Sequence, residues 1–144
     1  MEKSSFNKIT KEVFLEYGFV KYGSKFLLLL DDISIVVRFS SCRNIKYFNY
    51  NFGINALYDA SVPYDKRFDS VLEIVMEHTP ELRGYDAHEI QFEKYSEEEY
   101  RELLYNMIHR YFDSYKNNAL QFIKDNECRM CLSKKAKEYL GLIQ

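Results

Sequence analysis

Residues 45–58 read Ile-Lys-Tyr-Phe-Asn-Tyr-Asn-Phe-Gly-Ile-Asn-Ala-Leu-Tyr, and their alternation decides the fold class. Phe48, Tyr50, Phe52, Ile54, Ala56 and Tyr58 fall on one side of an extended chain, and Asn49, Asn51, Gly53 and Asn55 on the other. Strand side chains point alternately to opposite faces, so this period of two predicts a strand with one packed and one polar face. Gly53, in its middle, marks a bulge or a close approach of another backbone segment.

Upstream, residues 33–41 place Ile33, Ile35, Val37 and Phe39 on one face and Ser34, Val36, Arg38 and Ser40 on the other. Cys42-Arg43-Asn44 turns the chain between these two strands. Residues 25–30 read as a strand with both faces apolar, joined to the next through an Asp31-Asp32 hairpin. Gly23-Ser24 supplies a tight turn from a short strand that begins at Phe19. Before it, Phe6, Ile9, Val13 and Tyr17 recur at helical spacing over 5–17. Gly18 stops that helix, because glycine takes a left-handed conformation without steric cost.

Downstream, Phe68, Val71, Leu72, Val75 and Met76 form a one-sided stripe that predicts a helix over 66–77, closed by Thr79-Pro80. Residues 88–94 alternate again, with Ile90 and Phe92 inward and Glu89, Gln91 and Glu93 outward, and read as a charged edge strand. Ser96 and Glu99 form a capping box that starts a long helix. Its stripe runs through Tyr100, Leu104, Met107, Ile108, Tyr111 and Tyr115 and on to Ile123, with a bend at Asn117-Asn118. Ser133 caps a short last helix that Gly141 ends. The expected fold is a single α+β domain over 1–144, an antiparallel sheet of about four strands with helices packed on one face.

The segment Gly18-Phe19-Val20-Lys21-Tyr22-Gly23-Ser24-Lys25-Phe26, after an amphipathic helix and before Asn51-Phe52-Gly53-Ile54, resembles the bacterial domain of unknown function 4304 family. The resemblance covers residues 5–58, with a weaker echo in the C-terminal helices. It implies an α+β fold in a bacterial protein and brings no catalytic residues.

A chain of 144 residues buries a full core without staples. Its 13 Tyr and 11 Phe, with no Trp, suit a core with wet edges or a contact surface. The first residues lack a signal-peptide apolar region, and the longest apolar run, 26–30, is far too short to cross a bilayer. A cytoplasmic location, with no membrane partner, is therefore expected. Three cysteines fit reduced thiols better than a disulfide framework.

Cys128-Arg129-Met130-Cys131 is a C-x-x-C, a spacing at which two thiols share a metal or a redox couple. Zinc needs two more ligands, which Cys42 and one of His78, His88 or His109 would have to supply from distant positions. No serine or cysteine stands at a recognisable spacing from a histidine. Glu97-Glu98-Glu99 is accounted for by the dipole of the helix it opens. The five glycines are scattered, so no phosphate loop is present. No cofactor is expected.

Charge is distributed unevenly. Residues 1–58 hold 8 basic and 5 acidic groups, 59–113 hold 6 and 14, and 114–144 hold 6 and 3. An acidic middle with interleaved tyrosines suits the grip of a basic protein by electrostatic steering and aromatic anchors. The expected function is non-enzymatic protein binding, sharpest as an immunity- or antitoxin-type neutraliser of a basic partner. The residues expected to touch that partner are Tyr85, Asp86, Glu89, Glu93, Tyr95, Glu97 and Glu98. The alternative is a thiol- or metal-dependent enzyme or redox protein built on the Cys128/Cys131 pair. Lys21, Lys25, Arg38, Arg43 and Lys46, among Tyr22, Tyr47 and Phe48, would suit single-stranded nucleic acid, but an acidic isoelectric point of 5.9 weighs against it. A homo-oligomer with a Tyr-rich interface is left open.

Overall fold

The computed structural model describes residues 1–143. Four strands follow one another as antiparallel hairpins: β1 (Val20–Tyr22), β2 (Lys25–Leu29), β3 (Ile33–Cys42) and β4 (Ile45–Ile54). A two-residue strand, β5 (Ile74–Val75), adds to the far side of β4, giving a five-stranded sheet in the order β1-β2-β3-β4-β5. Helices α1 (Lys3–Tyr17) and α3 (Glu97–Asp125) lie side by side, and their buried faces join the apolar side of the sheet in one core. Three short helices complete the fold: α2 (Tyr85–His88), α4 (Glu127–Met130) and α5 (Lys134–Tyr139). The chain is thus an α+β fold with an antiparallel sheet. No helix among the described residues is long and apolar enough to cross a membrane.

Register puts the expected core partners together: Ile33 opposes Ile54, Ile35 opposes Phe52, Val37 opposes Tyr50, and Phe39 opposes Phe48. A slip of one residue would turn this whole set outward, which is why the buried face determines the pairing. The ladder runs through Ser34 and Gly53 without an extra residue, so Gly53 is not a bulge. It is a close approach, with Arg67 lying directly over it.

Aromatic rings fill the space between layers. Phe14 stacks on Phe26 at 4.5 Å between centroids and meets Phe19 edge-on at 5.1 Å. Two hydroxyl pairs stitch the layers where tyrosines would otherwise strand a polar group in the core. Tyr50 of β4 meets Tyr115 of α3 at 3.0 Å, and Thr10 of α1 meets Tyr100 of α3 at 2.7 Å.

The polar face of β4 is not open to water. Asn49 and Asn51 are 1% and 3% exposed, because residues 58–73 fold back over that face and along the β4 edge. The Asn51 amide donates to Ser70 O at 2.8 Å, and its carbonyl accepts from the backbone of Phe52 and Ser70. Glu73 receives both the Asn49 amide and the Arg38 guanidinium. Lys25 pairs with Asp65 at 2.7 Å. Asparagine thus stands at these positions because it finds partners in the fold, Asn51 in the Ser70 backbone and Asn49 in the Glu73 and Ser40 side chains, not because it faces solvent. β4 also stops at Ile54, earlier than the alternation suggests, and residues Asn55–Leu57 form a 3-10 turn beside the Asp31-Asp32 hairpin.

The expected helix over 66–77 does not form. A 3-10 turn at Tyr64–Lys66 leads into extended chain and then β5. Of the apolar stripe only Met76 is buried, whereas Val71 and Leu72 are 66% and 64% exposed. The backbone here answers the unpaired edge of β4 instead: Asp69 N–H donates to Phe52 O at 2.9 Å and Met76 N–H to Phe48 O at 2.8 Å. Val71 N–H donates to Cys131 O at 2.7 Å. Val71, Ile74 and Val75 are β-branched and give up little helix preference to do so.

The expected edge strand over 88–94 is absent too. This stretch is the end of α2 followed by a 3-10 turn at Phe92–Lys94. Ile90 and Phe92 do face inward, but Ile90 makes a single backbone bond, to Lys46 O at 2.7 Å, rather than a ladder. β5 takes the β4 edge at Asn49 and Tyr50, and this stretch meets the edge only through Ile90 at Lys46. The capping box at Ser96 and Glu99 is formed, and α3 kinks at Asn118 (φ −163°, ψ 79°) as its Asn-Asn pair suggests. Ser133 caps α5 through Ala136 N–H.

Candidate functional site

The seven residues expected to meet a partner are strung along consecutive short elements. Gly84, at a positive φ of 61°, admits α2, which carries Tyr85 and Asp86. Glu89 follows it, Glu93 lies in the 3-10 turn, Tyr95 precedes the Ser96 cap, and Glu97 and Glu98 open α3. Tyr85 is the most exposed aromatic of the set, at 54%, with its ring edge against His88. His88 in turn packs edge-on against Tyr47 of β4.

His78 holds this region in place. Its backbone N–H donates to Ala87 O at 2.8 Å, and its Nε2 lies 2.9 Å from Glu89 O. A carbonyl can only accept, so Nε2 carries the proton and Nδ1 accepts from the Thr79 hydroxyl at 2.9 Å. Burial pushes the His78 pKa down from 6.5, against the Glu89 carbonyl, which favours the charged form. The N-terminal ammonium of Met1 anchors the other end by donating to Tyr95 O at 2.8 Å.

One open cavity of about 370 Å³ occurs here. Glu99, Glu102, Asn106 and Arg110 of α3 form one wall, and His78 and Tyr95 face them. Of the seven expected residues, Tyr95 alone lines it, and the other six lie on adjoining turns outside it. Glu102, Asn106 and Arg110 were readable from the helical period counted from Glu99. His78 was not, because β5 puts it there.

The acidic residues of the middle segment divide into two groups. Asp65, Glu73 and Asp113 are held by Lys25, Arg38 and the Tyr17–His109 pair. Asp69 is 1% exposed and accepts from Ile54 N–H at 2.7 Å and from Tyr58 Oη at 2.9 Å. These acids build the fold. Residues 77–102 hold nine acidic and three basic side chains, and one of the bases, Arg101, is committed to Glu12. Among the described residues, Asp86, Glu89, Glu93, Glu97, Glu98 and Glu102 enter no ion pair. Glu99 differs: its hydrogen bond from Ser96 N–H holds its carboxyl below the usual range.

The thiols do not gather. Cys128 is on α4 and Cys131 follows it in a left-handed conformation (φ 47°), while Cys42 ends β3, and all three are free and exposed. Among the described residues no three His, Cys, Asp or Glu side chains come together to hold a metal ion. His109 does find a carboxylate, since Asp113 lies 3.1 Å from its Nδ1 and 2.6 Å from Tyr17 Oη. The adjoining cavity, about 60 Å³, is lined without any serine, threonine or cysteine. This cluster ties α1 to α3, and Lys116 over the Tyr17 ring at 3.7 Å adds to the tie.

The basic sheet is engaged internally only in part. Lys25 and Arg38 are ion-paired and Phe48 is 1% exposed, whereas Lys21, Arg43 and Lys46 are exposed and enter no ion pair among the described residues. Comparison with family models, with curated proteins and with solved structures finds no match for this chain.

Proposed function

We propose that this protein is a non-enzymatic protein-binding domain whose acidic, tyrosine-bearing surface over 77–102 engages a basic partner. The observation that carries the reading is the set of unpaired carboxylates from Asp86 to Glu102 beside the exposed Tyr85 ring. Like charges held together raise the local potential and cost stability, so a fold that concentrates them gains most where a cation neutralises them. Tyr85 and Tyr95 supply rigid amphipathic contacts at small entropic cost. In its sharpest form the protein neutralises a basic toxin by covering it, as an immunity- or antitoxin-type protein would, in keeping with the resemblance to a bacterial family.

The test is capture of partners from native extract at low salt, with the wild-type chain and a Glu89→Lys/Glu93→Lys variant side by side. A basic protein retained by the wild type, released at elevated salt and lost or weakened with the variant supports the reading. Equal capture by both forms removes the acidic surface from the interaction.

A further inference from the structure

A second trough lies beyond Arg110, between β5 and the C-terminal half of α3. It encloses about 350 Å³, the size of a pocket for one small molecule. Its apolar lining is Ile74, Val75, Phe122 and Met130, with the Tyr50 ring behind. Three hydrogen-bond donors lie along it: Arg110, Arg129 and Tyr111.

None of the three is exhausted by the fold. The Arg129 side chain is exposed and makes no ion pair or hydrogen bond among the described residues. Arg110 gives one N–H to Glu77 O and lies 5.6 Å from the Tyr111 ring centroid, which leaves the rest of its five-donor fork. The Tyr111 hydroxyl accepts from Glu77 N–H at 2.8 Å, so its own proton remains to be donated. Burial raises the pKa of that hydroxyl and keeps it protonated. Asn126 gives one of its two amide N–H groups to Phe122 O at 2.9 Å.

Glu77 is the one carboxylate in the lining, so two guanidiniums face one acid and the trough carries a single surplus positive charge. That balance suits a monoanion and disfavours a polyphosphate. An apolar floor under convergent donors, with one surplus charge, specifies an acceptor-only headgroup on an apolar body. We propose that this trough binds a small amphipathic carboxylate, with Arg129, Arg110 and the Tyr111 hydroxyl on the carboxylate and Val75, Phe122 and Met130 under the apolar part. The trough adjoins the acidic surface, sharing Glu77 and Arg110 with it, but Tyr85, Glu89 and Glu93 do not line it, so carboxylate binding is tested independently of protein binding at those residues.

The experiment is titration of the full chain with phenylbutyrate and with octanoate, followed by calorimetry and by amide chemical shifts. Neutral phenylbutanol and inorganic phosphate serve as comparison ligands. Saturable one-to-one binding of a carboxylate is expected, with shifts centred on Val75, Tyr111 and Met130. Arg129→Ala, a change at an exposed residue, is expected to weaken binding about tenfold. Tyr111→Phe, which also removes the acceptor of Glu77 N–H, is expected to weaken it by a smaller factor. The proposal is overturned if neither carboxylate saturates at millimolar concentration, or if Arg129→Ala binds as the wild type does. It is equally overturned if phenylbutanol or inorganic phosphate binds as tightly as the carboxylates.

Discussion

Arg67 sits on Gly53: a Cβ added to the glycine would lie 2.5 Å from Arg67 Cβ and 3.2 Å from Arg67 O. Gly53 is in regular strand geometry, so space rather than backbone freedom requires it. Arg67 is held there at 8% exposure by its bonds to Val62 O and Asp59 O and by the Tyr64 ring at 4.3 Å. Gly53→Ala is therefore expected to lift the overlying chain and to cost about 2 kcal/mol or more. Urea unfolding checks this, and an unchanged midpoint would mean that the segment does not rest on β4.

The Thr10–Tyr100 pair has a built-in direction. Thr10 Oγ1 donates its one proton to Phe6 O at 2.7 Å, so Tyr100 Oη donates to Thr10. Tyr100→Phe leaves Thr10 with its own bond and is expected to cost about 1 kcal/mol. Thr10→Val strands a hydroxyl on a fully buried tyrosine and is expected to cost about 2 kcal/mol. The double variant should lose less than the two singles together. Full additivity in a double-mutant cycle would show that the two hydroxyls are not coupled.

Two kinds of carboxylate should separate by stability. Asp69→Ala removes an acceptor for Ile54 N–H and Tyr58 Oη at a buried position, with an expected loss of about 3 kcal/mol. Glu93→Gln and Glu98→Gln remove exposed, unpaired charge and are expected to change stability by about 0.5 kcal/mol at most. Thermal melts at one salt concentration distinguish them. A large loss at Glu93 would show that its charge serves the fold rather than a partner.

His78 gives a pH dependence with a definite sign. Burial lowers its folded pKa below 6.5, and the nearby positive charges of His88 and Arg110 push in the same direction. Below 6.5 the unfolded chain therefore takes up the proton more readily than the fold does. The contribution is full above that value and is lost as the pH falls from it towards the folded pKa. His78→Gln retains a donor for Glu89 O and should flatten the stability difference between about pH 7.5 and about pH 5.5. An unchanged slope would assign the acid sensitivity to the hydrogen-bonded carboxylates.

Cys42, Cys128 and Cys131 are exposed and unbridged, so all three thiols should react with an aromatic disulfide reagent in the native state. Fewer than three reactive thiols in native protein, rising to three in denaturant, would reveal shielding, and only release of a bound metal alongside it would favour the thiol-centred alternative.

Where a signal is local, the sequence was sufficient. The alternation of 33–41, that of 45–58 as far as Ile54, the Gly18 stop, the Ser96–Glu99 box and the bend at Asn117-Asn118 all became the elements they announce. Each depends on partners a few residues away, or on a hairpin that brings the next strand alongside. The acidic content of 77–102 was equally plain, and so was the period that aligns Glu99, Glu102, Asn106 and Arg110.

Residues 66–77 and the polar face of β4 are different, because what decides them is remote. The stripe Phe68, Val71, Leu72, Val75 has helical spacing, yet it competes with an unpaired β4 edge that only the assembled sheet presents. Asp69 bonds Ile54 across 15 positions and Ser70 bonds Met130 across 60. Burying Asn49 and Asn51 beneath that segment required partners from it, the Glu73 side chain and the Ser70 backbone, and the β5 edge it created lines the trough with Ile74 and Val75. Periodicity reports which residues prefer to leave water. Which unsatisfied backbone edge they then meet is a property of the packed chain, because an open row of N–H and C=O groups costs more than a weak helix preference returns.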